Sequence, residues 1–521
     1  MKYGPIATAL IIGFSILFQP LTGSFAAPVA AEGPDTGRLS AIIEKLESYI
    51  NKGMADWKVP GLVLAIVHGD DVIYEKAFGV KTLGAGDPVS VDTVFQIGST
   101  SKAFTAALVA MLADERKVRW DDPVVNHLSS FMMNDPWVTR QFTVTDLMAQ
   151  RSGMPAHAGD SAAILGFDRA HITGAIRFVK PVTSFRSAYA YQNNLFLAAA
   201  ELIKKKTDLK WEENIRERIF KPLGMTSSST DLTSFRNGKD VASLHHMIDD
   251  KVVVLPMNWK YIDWVYTYAP AGGINSNVKD VAKWIRLQMN DGIFDGKPLI
   301  SSESMKYMHA PKTVISSGNS VGPRQYYCQG WVYRENNPYP IIWHNGGTSG
   351  SKTMIAFVPR AKIGIVVLSN LSDTSLPESL AWRFFDSYFD NPRRDWSEEA
   401  LEKALKDEEE EKSAIPNKPV KASPALPAER YVGDYANDVY DTITVSRNNG
   451  ALHITVGPKK TRIALTHFDR DIFTASWDVY IEKEDAGPVV FDIGLDGFAK
   501  SVTIQALDED GCGVFQKVAE K

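Results

Sequence analysis

A serine and a lysine three residues apart, Ser99 and Lys102, sit in the run Phe95-Gln96-Ile97-Gly98-Ser99-Thr100-Ser101-Lys102-Ala103-Phe104-Thr105. In a helix, residues i and i+3 share a face, so the lysine amine can reach the serine hydroxyl. A serine alcohol is barely ionised at neutral pH and attacks a carbonyl only when a neighbouring base takes its proton. Ser-x-x-Lys alone is a weak motif, and the chain repeats it at Ser276 to Lys279 and at Ser349 to Lys352. Only the first has a glycine before the serine and a long apolar stretch after it, Ala103 to Leu112, suited to a helix buried on most sides. Taken by itself, the run also reads as a serine-rich N-cap leading into a core helix.

A serine hydrolase further needs a proton shuttle and amide N–H groups aimed where the oxyanion forms. Two downstream segments offer such groups. Tyr191-Gln192-Asn193 precedes a helix at Leu195, and Trp343-His344-Asn345-Gly346-Gly347-Thr348-Ser349-Gly350 ends a strand with glycines that let backbone approach a substrate. Taken singly, Tyr191 is more often a packed aromatic and His344 a structural histidine at a strand edge.

The elements that must position these groups follow from periodicity. Leu39, Ile42, Ile43, Leu46 and Ile50 form one stripe of an amphipathic helix over 38–52. Gly61 to Val67 and Val72 to Phe78 read as a β-hairpin across a polar turn. Residues 115–260 read mostly as helices and loops, including helices at Phe196 to Lys206 and Trp211 to Phe220. Strand pattern returns at Pro340 to Trp343, Met354 to Val358 and Ile363 to Leu368, before a helix near Leu380 to Phe389. Strands and a helix at both ends with helices between them predict one sheet built from distant segments, with an inserted helical region.

Composition then shifts. Asp395 to Lys412 is dense in Glu and Lys, and Pro416, Pro419, Pro424 and Pro427 follow, the pattern of a solvated helix leading into an extended linker. Beyond Tyr431 come short alternating segments, Thr442 to Val445, Leu452 to Val456, Ile463 to Leu465 and Val489 to Ile493, separated by turn residues. They predict a small antiparallel β-barrel. The expected organisation is an export signal over 1–27, a hydrolase domain over 34–392, a linker over 393–428 and a barrel domain over 429–521.

A chain of 521 residues with 44% hydrophobic content can bury a large core. Its net charge of -5 and the lack of a basic patch interleaved with aromatics give no support to nucleic-acid binding. Small-molecule or short-peptide substrates fit better, and the oligomeric state is left open. Lys2, the apolar run Ile6 to Phe18 and then Ser24-Phe25-Ala26-Ala27 have the three parts of an export signal, with an uncleaved anchor as the rival. No later segment is long and apolar enough to span a bilayer, so the expected location is periplasmic, with secretion as the alternative. Cys328 and Cys512 give no disulfide framework, and two unpaired buried thiols are expected. The ten histidines form no His-Glu-x-x-His or Cys-His cluster, so neither a metal site nor a cofactor is read.

In order and spacing these segments resemble the serine β-lactamase and penicillin-recognising D,D-peptidase superfamily, in the branch of class C β-lactamases, D-aminopeptidases and related esterases. Gly98-Ser99-Thr100-Ser101-Lys102 resembles its Ser-x-x-Lys element, Tyr191-Gln192-Asn193 its Tyr-x-Asn element, and His344-Asn345-Gly346 the histidine form of its Lys-Thr-Gly element. Arg151-Ser152-Gly153-Met154-Pro155, Lys221-Pro222-Leu223-Gly224-Met225 and Pro270-Ala271-Gly272-Gly273 support it. The resemblance covers about residues 38–390, and the tail resembles a lipocalin-like domain. It implies an α/β (α+β) β-lactamase/transpeptidase-like fold: an antiparallel sheet flanked by helices with an inserted helical region, then a C-terminal antiparallel barrel.

The resemblance also implies roles. Ser99 would be the nucleophile, and Lys102 and Tyr191 would exchange its proton, with Tyr191 as the proximate base and its phenol pKa depressed by Lys102. Asn193 would orient Lys102 and the substrate amide. Backbone N–H groups of Ser99 and Gly347 would hold the oxyanion, with Asn345 and Gly346 among the substrate and oxyanion residues of the same segment. His344 would sit opposite Tyr191, polarising the proton network or meeting the substrate. His344 and Asn345 replace the lysine and threonine that hold a β-lactam carboxylate, so antibiotic hydrolysis is not expected to be strong. Gln150 stands where a histidine is common and is expected to affect packing more than chemistry. Trp259 to Tyr268 could form either an aromatic cleft wall or a packed loop. The expected activity is an exported serine hydrolase cleaving an amide bond in short or unusual peptides, such as D-amino-acid or linearised microcystin-like peptides. Carboxylesterase, weak β-lactamase or D,D-carboxypeptidase, and a non-hydrolytic penicillin-receptor-like protein are the alternatives.

Overall fold

Strict alternation of apolar side chains accounts for the central sheet. In β1 (Gly61–His68), Leu62, Leu64 and Ile66 face one cluster while Val63, Ala65 and Val67 face the other, and all six are fully buried. A strand buried on both faces has to be covered by helices on both sides. This is how the computed structural model of the protein is built; it describes residues 36–318, 322–414, 418–477, 479, 484–508 and 511–519. The expected export signal over 1–27 lies outside these residues. Among them no helix is long and apolar enough to cross a membrane.

Along the chain, α1 (Thr36–Asp56), β1, β2 (Asp71–Gly79) and α2 (Ser101–Asp114) precede the inserted region. That region holds α3 (Asp160–Ile164), α4 (Arg169–Ala175), α5 (Asn194–Thr207), α6 (Trp264–Thr267), α7 (Ala269–Gly272) and α8 (Val278–Met289). The sheet resumes with β3 (Thr313–Ser316), β4 (Gln325–Tyr327), β5 (Val332–Arg334), β6 (Ile341–Gly347), β7 (Lys352–Val358) and β8 (Ile363–Ser369), followed by α9 (Leu376–Tyr388). Its eight strands run β2-β1-β8-β7-β6-β5-β4-β3, every neighbouring pair antiparallel.

Helices α1 and α9 cover one face through Ile42, Leu46, Ile50, Leu380, Phe384 and Phe385. On the other face α2 is buried from Ser101 to Leu112, and its Phe104 ring stacks on Trp284 of α8 at 3.9 Å. Because α2 has no polar side to offer solvent, it must sit inside, packed against α5 and α7, while α8 lies directly on the sheet.

Two features differ from the sequence expectation. β6 continues through Gly347, so His344 to Gly347 belong to the sheet and not to a loop at its end. A hairpin of Leu244–Ile248 and Lys251–Leu255 lies in the stretch read as helices and loops.

After the charged helix α10 (Trp396–Ala414), strands β9 (Gly433–Asn437), β10 (Asp441–Asn448), β11 (Ala451–Val456), β12 (Thr461–Asp469), β13 (Ile472–Trp477), β14 (Glu484–Ile493), β15 (Ala499–Ile504) and β16 (Val514–Lys517) close into a barrel. Tyr431, Tyr435, Phe473 and Phe491 pack ring against ring in its interior. The barrel is docked on the inserted region: Lys459 N donates to Leu165 O at 3.0 Å and Trp259 Nε1 to Val479 O at 3.0 Å, while Lys459 pairs with Asp263. Cys328 and Cys512 are both buried, and neither forms a disulfide.

Candidate active site

The turn before α2 presents Ser99. Gly98 has φ +52, and a Cβ there would stand 2.6 Å from the Gly347 nitrogen, so only glycine lets this turn lie against β6. Residues Gly98–Thr100 form a 3₁₀ turn that runs directly into α2. Thr100 Oγ1 donates to Ile97 O at 2.8 Å and Ser101 Oγ to Gly98 O at 2.7 Å, so these hydroxyls secure the turn while the Ser99 hydroxyl faces Lys102. The other two matches do not pair: Lys279 binds Asp92 and Lys352 binds Glu378, while Ser276 Oγ meets Ser228 and Ser349 Oγ accepts from Trp264.

Lys102 is fully buried. Its Nζ lies 3.2 Å from Ser99 Oγ, donates to Asn193 Oδ1 at 2.6 Å and Ala271 O at 3.0 Å, and lies 4.5 Å from the centre of the Tyr191 ring. Burial lowers its pKa from 10.5 to about 7, the Asp160 charge opposing part of that fall. Tyr191 also hydrogen-bonds Ser99, but burial drives its phenol well above the ordinary value and the Ser99 bond offsets only part of the rise. The depressed tyrosine expected from the sequence is therefore reversed: desolvation outweighs any help from the lysine, and the group brought near neutrality is Lys102.

Tyr191 and Asn193 lie on a loop gripped from behind. Gln150, buried and at φ +56, accepts from Gln192 N at 2.6 Å and donates to Gln192 O at 3.1 Å, so its role goes beyond packing. His157 N donates to Tyr191 O at 2.7 Å. Asn193 Nδ2 donates to Asp160 Oδ2 at 2.7 Å, and His157 Nδ1 donates to the same oxygen at 2.9 Å. Sequence reading did not find Gln150, His157 or Asp160 as site residues. Gln150 reads there mainly as a packing residue and no motif marks His157 or Asp160; the fold brings Gln150 to Gln192, His157 to Tyr191 and Asp160 to Asn193.

On the sheet side, His344 is 2% exposed, with its ring centre 6.3 Å from that of Tyr191. Its Nδ1 sits 2.5 Å from the Asn345 carbonyl oxygen, which can only accept, so Nδ1 carries the proton and Nε2 accepts from Tyr327 Oη at 3.1 Å. Burial, reinforced by the Lys102 charge, lowers its pKa to about 3, so the ring is neutral. With both nitrogens engaged, His344 stands behind the cavity wall. Asn345 donates to Glu378 Oε1 at 2.8 Å. A Cβ on Gly346 would meet Ile97 O at 2.0 Å, whereas Gly347 is open on its Cβ side.

A cavity of about 720 Å³ opens above Ser99, lined by Tyr191, Asn193, Asn345 and Gly347 among others, with Tyr189, Trp264 and Tyr268 as aromatic walls. The aromatic segment thus divides: Trp264 and Tyr268 face the cavity, while Trp259 and Tyr261 meet the barrel. Among the described residues the cavity lining falls between Ser99 and Lys352, so the barrel supports this wall without contributing to it. Among the described residues no group of three or more His, Cys, Asp or Glu side chains is placed to hold a metal ion.

The beta-lactamase family model matches residues 46–384, and a domain of unknown function (DUF3471) matches residues 417–514. Unguisins hydrolase ungD' of Aspergillus campestris is 29% identical over 473 residues, covering 86% of each chain. Protein flp of Staphylococcus aureus is 24% identical over 337 residues, covering 64% of each. An octameric penicillin-binding protein homologue from Pyrococcus abyssi superposes with a TM-score of 0.59 at 22% identity, over 86% of this chain and 96% of that one, a likeness of fold.

Proposed function

The chain belongs to the beta-lactamase family, and from that premise we propose that it is an exported serine hydrolase that cleaves an amide bond in short or unusual peptides through an acyl-serine intermediate. The observation that carries this reading is the convergence of Lys102 Nζ, 3.2 Å away, and the Tyr191 phenol on the Ser99 hydroxyl. Neutral Lys102 takes the proton as Ser99 Oγ attacks the carbonyl. Backbone N–H groups of Ser99 and Gly347 receive the oxyanion. Tyr191, kept as a neutral phenol, relays the proton to the departing amine, and water then attacks the acyl-serine with Lys102 again as base. His344 holds Tyr327 behind the network and touches no substrate.

Peptide-like substrates are favoured by the aromatic walls of the cavity and by a relative named for hydrolysing unguisins that matches 86% of this chain. A β-lactam is disfavoured, because the strand beside Ser99 carries His344 and Asn345 in place of lysine and threonine. The test is a panel of p-nitrophenyl esters, D- and L-aminoacyl amides, short linear peptides and nitrocefin, assayed with wild type and Ser99→Ala. Amide turnover lost in Ser99→Ala is the expected result. Turnover confined to esters would move the assignment to a carboxylesterase, and a single stoichiometric burst would move it to a penicillin-receptor-like protein.

A further inference from the structure

Asn193 faces two partners of opposite demand. An amide has one donor end and one acceptor end, so whichever neighbour can take only one of them decides its orientation. Asp160 is that neighbour: its Oδ2 accepts from Asn193 Nδ2 at 2.7 Å, which leaves Asn193 Oδ1 to receive Lys102 Nζ at 2.6 Å. The same Oδ2 accepts His157 Nδ1 at 2.9 Å, so the carboxylate is held from the solvent side as well. Asp160 Oδ1 is buried and has no hydrogen-bond partner.

We propose that Asp160 is a positioning residue for the Lys102 base: its carboxylate fixes the sense of the Asn193 amide, so that the amide oxygen is the end that meets Lys102 Nζ. This deepens the acyl-serine reading and rests on it. The groups facing Lys102 come from several elements: Ser99 from its own turn, Tyr191 and Asn193 from the loop before α5, the Ala271 carbonyl from α7, His344 from β6 and Asp160 from α3. His344 is neutral, Tyr191 stays protonated and the others apart from Asp160 are uncharged, so Asp160 is the anion of that set. A reaction that begins with neutral Lys102 and passes through its ammonium form needs both states within reach. Burial favours the first and Asp160 supports the second.

The alternative is that Asp160 merely holds the loop, and a pH profile separates the two. In Asp160→Asn the side chain keeps its shape but loses its charge and can donate as well as accept, so Asn193 is free to turn. The plateau of kcat/KM should fall about 10- to 100-fold, and the rise with pH should begin roughly one unit lower, because removing a nearby anion lowers the Lys102 pKa. Asp160→Glu keeps the charge and should leave the onset within a few tenths of a unit of wild type, whatever it does to the plateau. A lowered plateau with an unmoved onset in Asp160→Asn would reduce Asp160 to scaffold and overturn the proposal, as would an unchanged profile. Circular dichroism melts confirm that each variant folds; if Asp160→Asn does not, Asp160→Ser supplies the uncharged arm. Ser99→Ala, run alongside, keeps the two claims apart: residual turnover there defeats the acyl-serine reading whatever Asp160 does.

Discussion

Burying Lys102 for catalysis should leave a mark on stability whose size and sign can be worked out. Its pKa falls from 10.5 to about 7 on folding, so between those values the unfolded chain binds a proton that the native protein does not. Stability therefore rises with pH across that window. The cost of burying the amine is complete below pH 7 and absent above 10.5, and at about 1.36 kcal/mol per pKa unit its full size is about 5 kcal/mol. Lys102→Met removes the titrating group. It also breaks the bonds to Ser99, Asn193 and Ala271, which changes absolute stability, but that change is nearly independent of pH. The difference in unfolding free energy, wild type minus Lys102→Met, should therefore increase by roughly 2 to 3 kcal/mol between pH 7.5 and 9.5. Denaturant unfolding followed by tryptophan fluorescence at several pH values measures it. A difference that stays flat across this window, or falls with pH, would show that Lys102 is not held near neutrality and would remove the chemical basis for its role as base.

Two further substitutions probe the parts that surround the lysine. Gly346→Ala places a methyl carbon 2.0 Å from the Ile97 carbonyl, so β6 must back away from the Ser99 turn; the oxyanion pocket should open and kcat should fall about 100- to 1000-fold, and an unchanged kcat would place the oxyanion elsewhere. Gln150→Leu removes both bonds to the Gln192 backbone at 2.6 and 3.1 Å and leaves buried groups unpaired, costing about 1–3 kcal/mol; kcat should fall while the pH onset set by Lys102 stays put, and a loss of thermal stability with kcat intact would limit Gln150 to the scaffold.

Much of the site was legible because its elements are local. Ser99 and Lys102 sit one turn apart, and the apolar run after them left α2 no face for solvent. Tyr191, Asn193 and His344 were readable through motif order. The extent of β6 was not, because Asn345-Gly346-Gly347 has the composition of a turn; what makes it a strand is its pairing with Lys352 to Met354 across the sheet. Strands β3, β4 and β5 have three or four residues each, too few for alternation to show. Asp160, His157 and Gln150 escaped for a different reason. Each acts through polar contacts made only by tertiary packing, and a lone polar residue carries no periodic signal. The state of Tyr191 was misjudged because desolvation depends on burial, which its neighbours in sequence do not reveal.

The central claim is that Ser99 becomes acylated. Intact-protein mass spectrometry of wild type and Ser99→Ala, quenched during turnover of a slow aminoacyl ester, tests it most directly, with peptide mapping to locate the added mass. A single acyl adduct on the peptide containing Ser99, absent from Ser99→Ala, is the predicted result. An adduct on another residue, or turnover that continues in Ser99→Ala, would contradict it.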